Sequence, residues 1–282
     1  MAKLDYGYAS AESANFTTLI YGDFASGKTT IAASANLTDD LGPILVIDID
    51  DGLASVSHWG GIRRVAVHTP AEFEQVMSDV SLPDETRPEI LKGVKTIVID
   101  SISAARDEQL LAWTAKEATK GRREDKFSPE WKDYGKMSRV MLHYIHQIKA
   151  LRYNMILVAG SVPILQGKGD DAVQVGIRPN LNNNLLQGLN YGMSNIWYAE
   201  RSSDKSKYRL LVDEFANPGI RTKTRNTLYA EALRKLTLDQ AVERGVKDPS
   251  KSQGWYYIPD HRHPTLPILA SLYRTSGAAQ AE

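Results

Sequence analysis

The stretch TTLIYGDFASGKTTIAASANL, Thr17 to Leu37, decides how the chain is read. An apolar, β-branched run breaks at Gly22, passes through Asp23, Phe24, Ala25, Ser26 and Gly27, and resumes at Lys28, Thr29 and Thr30 with helix formers. Gly22 to Thr29 fits G-x-x-x-x-G-K-T in its required setting, a strand before and a helix after. Glycines let such a loop curl so that several backbone N–H groups, with the positive end of the helix dipole, face phosphate oxygens. In that reading Gly22 to Thr30 form a nucleotide-binding P-loop (Walker A). Lys28 reaches the β- and γ-phosphates, the Thr29 hydroxyl coordinates Mg²⁺, and Thr30 is a structural neighbour. An ordinary glycine turn containing a lysine is the alternative, and the strand-helix context argues against it.

Working outward, FTTLIYG (16–22), GPILVIDID (42–50), VKTIVIDS (94–101) and YNMILVAGS (153–161) are short and nearly continuous in Ile, Val and Leu. Runs of that kind read as strands of a parallel sheet covered on both faces. Helical stretches are expected at Lys28–Leu37, Pro70–Val80, Ser103–Ala118 and Lys136–Leu151. Alternating strands and helices make an α/β fold with a mainly parallel central sheet flanked by helices. After residue 161 the Gly-, Asn- and Asp-rich text through Gly188 reads as one long loop, of a length usually tied to function. SNIWYAER and KYRLLVDE read as a hairpin joined by SSDKS. A helix over Tyr229–Arg244, an irregular stretch and a short last helix follow. The expected division is an N-terminal arm (1–15), a core (16–227) and a helical, irregular extension (228–282).

A P-loop needs an acidic partner for its metal, and Asp100 ends the strand KTIVID. At the C-terminal edge of a neighbouring strand it would hold Mg²⁺ together with Thr29; alternatively it caps the helix beginning near Ser101. Asp48, Asp50 and Asp51 end the other acidic strand, and one of them is the candidate base that polarises an attacking water. Asp50 is favoured, because it lies just past the strand and on the same side as Asp48 under a period of two. His143 and His146, three apart on a helix, and the His261–His263 pair lack a third nearby ligand and do not read as a metal site.

The chain has 282 residues, is 42% hydrophobic, and carries 34 Lys+Arg against 34 Asp+Glu. It can bury a substantial core. Its neutral balance confines any nucleic-acid contact to a local basic surface. The absence of cysteine excludes disulfides, thiolate metal sites and a cysteine nucleophile. The start MAKLDYGYASAESANF lacks a signal-peptide core, and no apolar run approaches the roughly 20 residues that span a bilayer. A soluble cytoplasmic protein without a membrane partner is expected.

The P-loop, the acidic residue after the second strand, TIVIDS and NMILVAGS occur in the order seen in RecA-like recombination ATPases, and the chain resembles them over about Thr17 to Asn226. It looks closer to phage-encoded RecA-like ATP-binding proteins, including those described as single-strand annealing proteins; a phage origin would put it in the host cytoplasm. The resemblance implies a RecA-like core whose ATP lies at a subunit boundary of a filament or ring. It implies Asp50 where such proteins carry a catalytic glutamate, and Ser161 as a polar sensor where Gln, Asn or His is commoner. In GIRTKTRN, Arg221, Lys223 and Arg225 match cations that reach a neighbour's γ-phosphate, Lys223 and Arg225 best; a solvated basic turn is the alternative.

The resemblance also points to two DNA loops. The first carries Lys116, Lys120, Arg122, Arg123 and Lys126 among Trp113, Phe127 and Trp131, the chemistry of single-strand binding, unless the aromatics pack inward. The second carries Lys168, Arg178 and Asn182-Asn183-Asn184, with Asp170 and Asp171 opposing. Tyr6–Ala9 resembles an aromatic-x-x-Ala docking peptide. The implied function is an ATP- and Mg²⁺-dependent recombination protein that binds single-stranded DNA and promotes annealing or strand pairing. Its expected partners are single-stranded DNA, further copies of itself and a single-strand binding protein. The alternatives are a nucleotide-switched partner-binding module without DNA contact and, less well supported, a small-substrate kinase.

Overall fold

Along each central strand, successive side chains enter two different cores. In β1 (Thr17–Gly22) Leu19 and Tyr21 face one core and Ile20 the other. In β2 (Ile44–Asp48) Leu45 and Ile47 alternate in the same way with Ile44 and Val46, and in β4 (Thr96–Asp100) Ile97 and Ile99 alternate with Val98. This two-sided burial is why the apolar runs are continuous. The computed structural model describes residues 15–120, 128–167, 169–201, 208–260 and 263–278.

The fold is α/β, built on a mainly parallel sheet. The remaining strands of that sheet are β3 (Arg63–Ala66), β5 (Asn154–Ala159), β8 (Asn195–Arg201), β9 (Tyr208–Leu211), β10 (Lys223–Thr224) and β11 (Trp255–Ile258). Their order is β11-β9-β8-β1-β5-β4-β2-β3, with β10 also paired to β8. The run from β8 to β3 is parallel, whereas β9, β10 and β11 add antiparallel. One face is covered by α2 (Pro70–Val80), α3 (Ile102–Thr119), α4 (Trp131–Ala150) and α5 (Asn183–Gly192), through Phe73, Leu110, Met141, Ile145, Leu185 and Leu189. The other face is covered by α1 (Lys28–Ala33), α6 (Thr227–Glu243) and α7 (Thr265–Ala278), through Ile31, Tyr229, Leu233, Leu266 and Leu269. α2 shows how local text sets an element. Thr69 and Glu72 close a capping box, Pro70 occupies the first turn, and Phe73, Val76, Met77 and Val80 recur on the buried side.

Two expectations are corrected. The expected loop from residue 161 to Gly188 is instead an antiparallel hairpin, β6 (Ser161–Gln166) with β7 (Val173–Pro179), whose turn falls on the Gly- and Asp-rich segment, followed by the start of α5 at Asn183. α4 starts at Trp131 rather than Lys136, because a Glu130–Asp133 capping box nucleates it a turn earlier. The segment after residue 227 is helical as expected, and it also supplies β11, which pairs with β9 inside the main sheet.

Tyr229 joins that segment to the core. It is fully buried, its hydroxyl donates to the Leu269 carbonyl at 2.9 Å, and its ring meets Tyr273 edge-on at 5.1 Å. Tyr229→Ala is expected to cost about 3–5 kcal/mol in urea unfolding, and Tyr229→Phe only about 1 kcal/mol. Equal losses from both would mean that the hydrogen bond, not the packing, carries the contact.

Candidate active site

Parallel register gathers the chemistry at one edge of the sheet. Tyr21 pairs with Ala159, Asp48 with Asp100, and Asp100 with Val158, so the P-loop, both acidic strand ends and Ser161 leave the sheet side by side. Ligand clefts of α/β sheets form at this carboxyl edge.

Gly22 ends β1, and the loop turns back through Ala25 (φ 58°) and Gly27 (φ 84°). Gly27 needs that left-handed backbone to start α1, and no side chain caps the helix, so its first N–H groups have no side-chain acceptor there. Lys28 folds over the loop, donating to the Asp23 carbonyl at 2.7 Å and to Ser26 Oγ at 3.4 Å. Its ammonium is pushed below the usual lysine range by burial, against the pull of Asp100, Asp23 and Asp50.

The Thr29 hydroxyl donates to Asp100 Oδ2 at 2.7 Å. A hydroxyl and a carboxylate so close are hard oxygen donors suited to Mg²⁺. The helix after Asp100 is capped by Ser101, whose Oγ accepts from the Ala104 N–H at 3.2 Å, so Asp100 is not used as the cap. Burial raises the Asp100 carboxyl from 3.8 to about 6; the Thr29 hydrogen bond opposes this, Asp50 and Asp48 reinforce it, and Lys28 opposes it.

The three acids after β2 separate clearly. Asp48 is fully buried and accepts from the Gly52 N–H at 3.1 Å and from Arg64 Nε at 2.7 Å. Asp51, with φ 54°, pairs with the same guanidinium. Asp50 is exposed, makes no hydrogen bond or ion pair among the described residues, and lies within electrostatic reach of Lys28 and Asp100. Ser161 Oγ donates to Asp23 Oδ1, which ties the start of β6 to the phosphate loop. A cavity of about 50 Å³ beside the loop, lined by Gly27, Thr30, Ile31, Tyr208, Ile258 and Asp260, went unnoticed in the sequence because its walls come from distant segments.

A family model described as an AAA domain matches residues 14–231. The chain belongs to the AAA domain family. Among solved structures, the crystal structure of the RadB recombinase is similar, at 13% identity over 73% of this chain and 82% of that chain, with a TM-score of 0.38. A comparison with curated proteins gives no match.

Other predicted residues of this AAA domain lie apart from the phosphate loop. Lys223 donates to the carbonyls of Asn190 and Met193, and Arg225 to that of Tyr191, so both cap the C-terminal end of α5, while Arg221 is exposed. Burial lowers the Lys223 ammonium, helped by the Arg225 charge. Lys120, just past α3, pairs with Glu117 at 3.5 Å. Arg178 donates to the Leu181 carbonyl at 2.7 Å and lines a groove of about 640 Å³ with Trp131, Lys132, Lys136, Arg139 and Asn182 to Asn184. Tyr6 to Ala9, Arg122, Arg123, Lys126, Phe127 and Lys168 lie outside the described residues. No group of three potential metal ligands occurs among the described residues, and no described helix is long and apolar enough to cross a membrane.

Because the folded protein binds the Asp100 proton more tightly than the unfolded chain does, this group's contribution to stability falls as pH rises from 3.8 through about 6. Asp100→Asn is therefore expected to stabilise the nucleotide-free protein at pH 8 by on the order of 1–3 kcal/mol. That gain should shrink below pH 6, while ATP turnover should fall. Thermal unfolding across pH measures the first effect and phosphate release the second; a gain that does not vary with pH would contradict the electrostatic account.

Proposed function

We propose that the protein is an ATP- and Mg²⁺-dependent RecA-like recombination ATPase that binds single-stranded DNA and promotes annealing or strand pairing. Membership in the AAA domain family supports the ATPase part. The observation that carries the reading is the convergence of Lys28, Thr29, Asp50 and Asp100 at the carboxyl edge of the sheet.

In this mechanism the loop N–H groups and Lys28 hold the β- and γ-phosphates and stabilise charge that develops on them. Thr29 and Asp100 would hold Mg²⁺, which supplies charge neutralisation between the phosphates. Asp50, with no competing partner among the described residues, accepts a proton from the attacking water and orients it. Ser161, bonded to Asp23, senses the state of the loop and transmits it to β6. A trans contact from Lys223 or Arg225 to a neighbour's γ-phosphate requires release of their bonds to α5.

The DNA part is supported by the groove between the start of α4 and the base of the β6–β7 hairpin. Trp131 is 91% exposed there, a ring face available for stacking, and Lys132, Lys136, Arg139 and Arg178 can track phosphates. The hairpin that begins at Ser161, bonded to the P-loop, carries Arg178 into the groove.

ATP turnover with and without single-stranded DNA, with Lys28→Ala as control, tests the reading. Lys28→Ala should abolish hydrolysis. Trp131→Ala should weaken DNA binding by about 1–3 kcal/mol while leaving turnover without DNA intact, and Arg139→Ala should reduce the salt slope by about 0.7. Intact hydrolysis with no DNA binding at low salt would replace this reading with a nucleotide-switched partner-binding module.

A further inference from the structure

The turn that carries Asp50 is closed from outside by one guanidinium. Arg64 lies in the edge strand β3, in register with Val46, and spans two carboxylates. One, Asp48, is wholly shielded from water; the other, Asp51, is exposed. Asp48 also accepts from the Gly52 N–H, and the Ile49 N–H donates to the Asp100 carbonyl at 2.7 Å, so the turn is fastened at both ends. Its last residue stands over the site: a Cβ at Gly52 would lie 3.6 Å from Thr29 Oγ1 and 3.9 Å from Asp100 Oδ2.

Five carboxylates, from Asp23, Asp48, Asp50, Asp51 and Asp100, surround Lys28 and this turn. Without Arg64, the charge on Asp48 would have only the Gly52 N–H to meet it among the described residues, and Asp51 would be repelled by its neighbours. The turn would then lose the charge that draws Asp48 and Asp51 together, leaving its backbone bonds to oppose their repulsion. Like-charge repulsion among carboxylates at this distance favours either protonation or outward movement, and outward movement would take Asp50 with it.

We propose that Arg64 is a positioning residue for Asp50, pairing with Asp48 and Asp51 together so that Asp50 alone of the three acids faces the nucleotide. The proposal rests on the reading of Asp50 as the group that orients the attacking water. Arg64 touches neither nucleotide nor water in this scheme; it acts through the turn, so its loss should change kcat and not nucleotide affinity.

The test measures steady-state ATP hydrolysis and the Kd of a fluorescent ADP analogue for Arg64→Ala, Arg64→Lys, Asp50→Asn and the two double variants. Arg64→Ala should lower kcat by at least about tenfold, as misplacement of a reacting group does, with the Kd changed less than threefold by the logic that separates binding from chemistry. Arg64→Lys, which can meet one carboxylate but not bridge two, should recover part of the loss. In the Asp50→Asn background neither substitution should lower kcat further. If Arg64→Ala does not fold, Arg64→Lys carries the same comparison. Additive losses in the double variants, a Kd that weakens in step with kcat, or an unchanged kcat would each overturn the clamp and leave the Asp50 reading standing. Full activity of Asp50→Asn would overturn both.

Discussion

Asp100 keeps a carboxylate almost entirely out of water, and the arrangement of the site follows from that constraint. Strand parity puts Val98 and Asp100 on the side of the sheet that α1 covers, so the end of an apolar strand delivers an acid beside the phosphate loop. Parallel register sets Asp48 directly opposite on the next strand. Two acids so placed repel each other, and each is relieved differently. Asp48 is neutralised by Arg64 and a backbone N–H, while Asp100 has the Thr29 hydroxyl and the more distant Lys28 charge. The first arrangement is electrically closed. The second is open, and a site that keeps a carboxylate partly unmatched is suited to a ligand that brings positive charge.

How much of this was legible in the sequence depended on whether the deciding contact was local. The phosphate loop, the strand ends and the capping box of α2 are written in consecutive residues, so spacing alone locates them. That Asp50 lies past the strand end is equally local, whereas the pairing that occupies Asp48 is not. The β6–β7 hairpin was hidden because Pro163 and a register shift between Ile164 and Leu165 interrupt the period of two, and because the hairpin's face is largely exposed. The start of α4 was missed because its capping box uses Glu130 and Asp133 rather than a hydroxyl residue. Arg64 carried no local signal at all: its partners are set by the pairing of β2 with β3, and a charged residue on an edge strand is ordinarily there to keep that edge from pairing with another chain.

The late cations show the same limit from the other direction. Their alternating spacing reads as a basic surface, yet Lys223 and Arg225, joined by Lys149, which donates to the Gly192 carbonyl at 2.6 Å, converge on the last carbonyls of α5. Cations there complement the negative end of a helix dipole. Lys223 pairs with Ile196 near the start of β8, while Ala199, further along the same strand, lies opposite Gly22 of the phosphate loop. Three residues of strand amount to about 10 Å, and α5 and α1 also cover opposite faces of the sheet. Within one copy, then, these cations are held away from that copy's own phosphate loop by both height and side. If they act on a nucleotide, it is one bound to a different copy, and reaching it means exchanging three bonds at the end of α5 for contacts across an interface. Such an exchange would link the end of a helix in one subunit to the charge state of the phosphate site in the next.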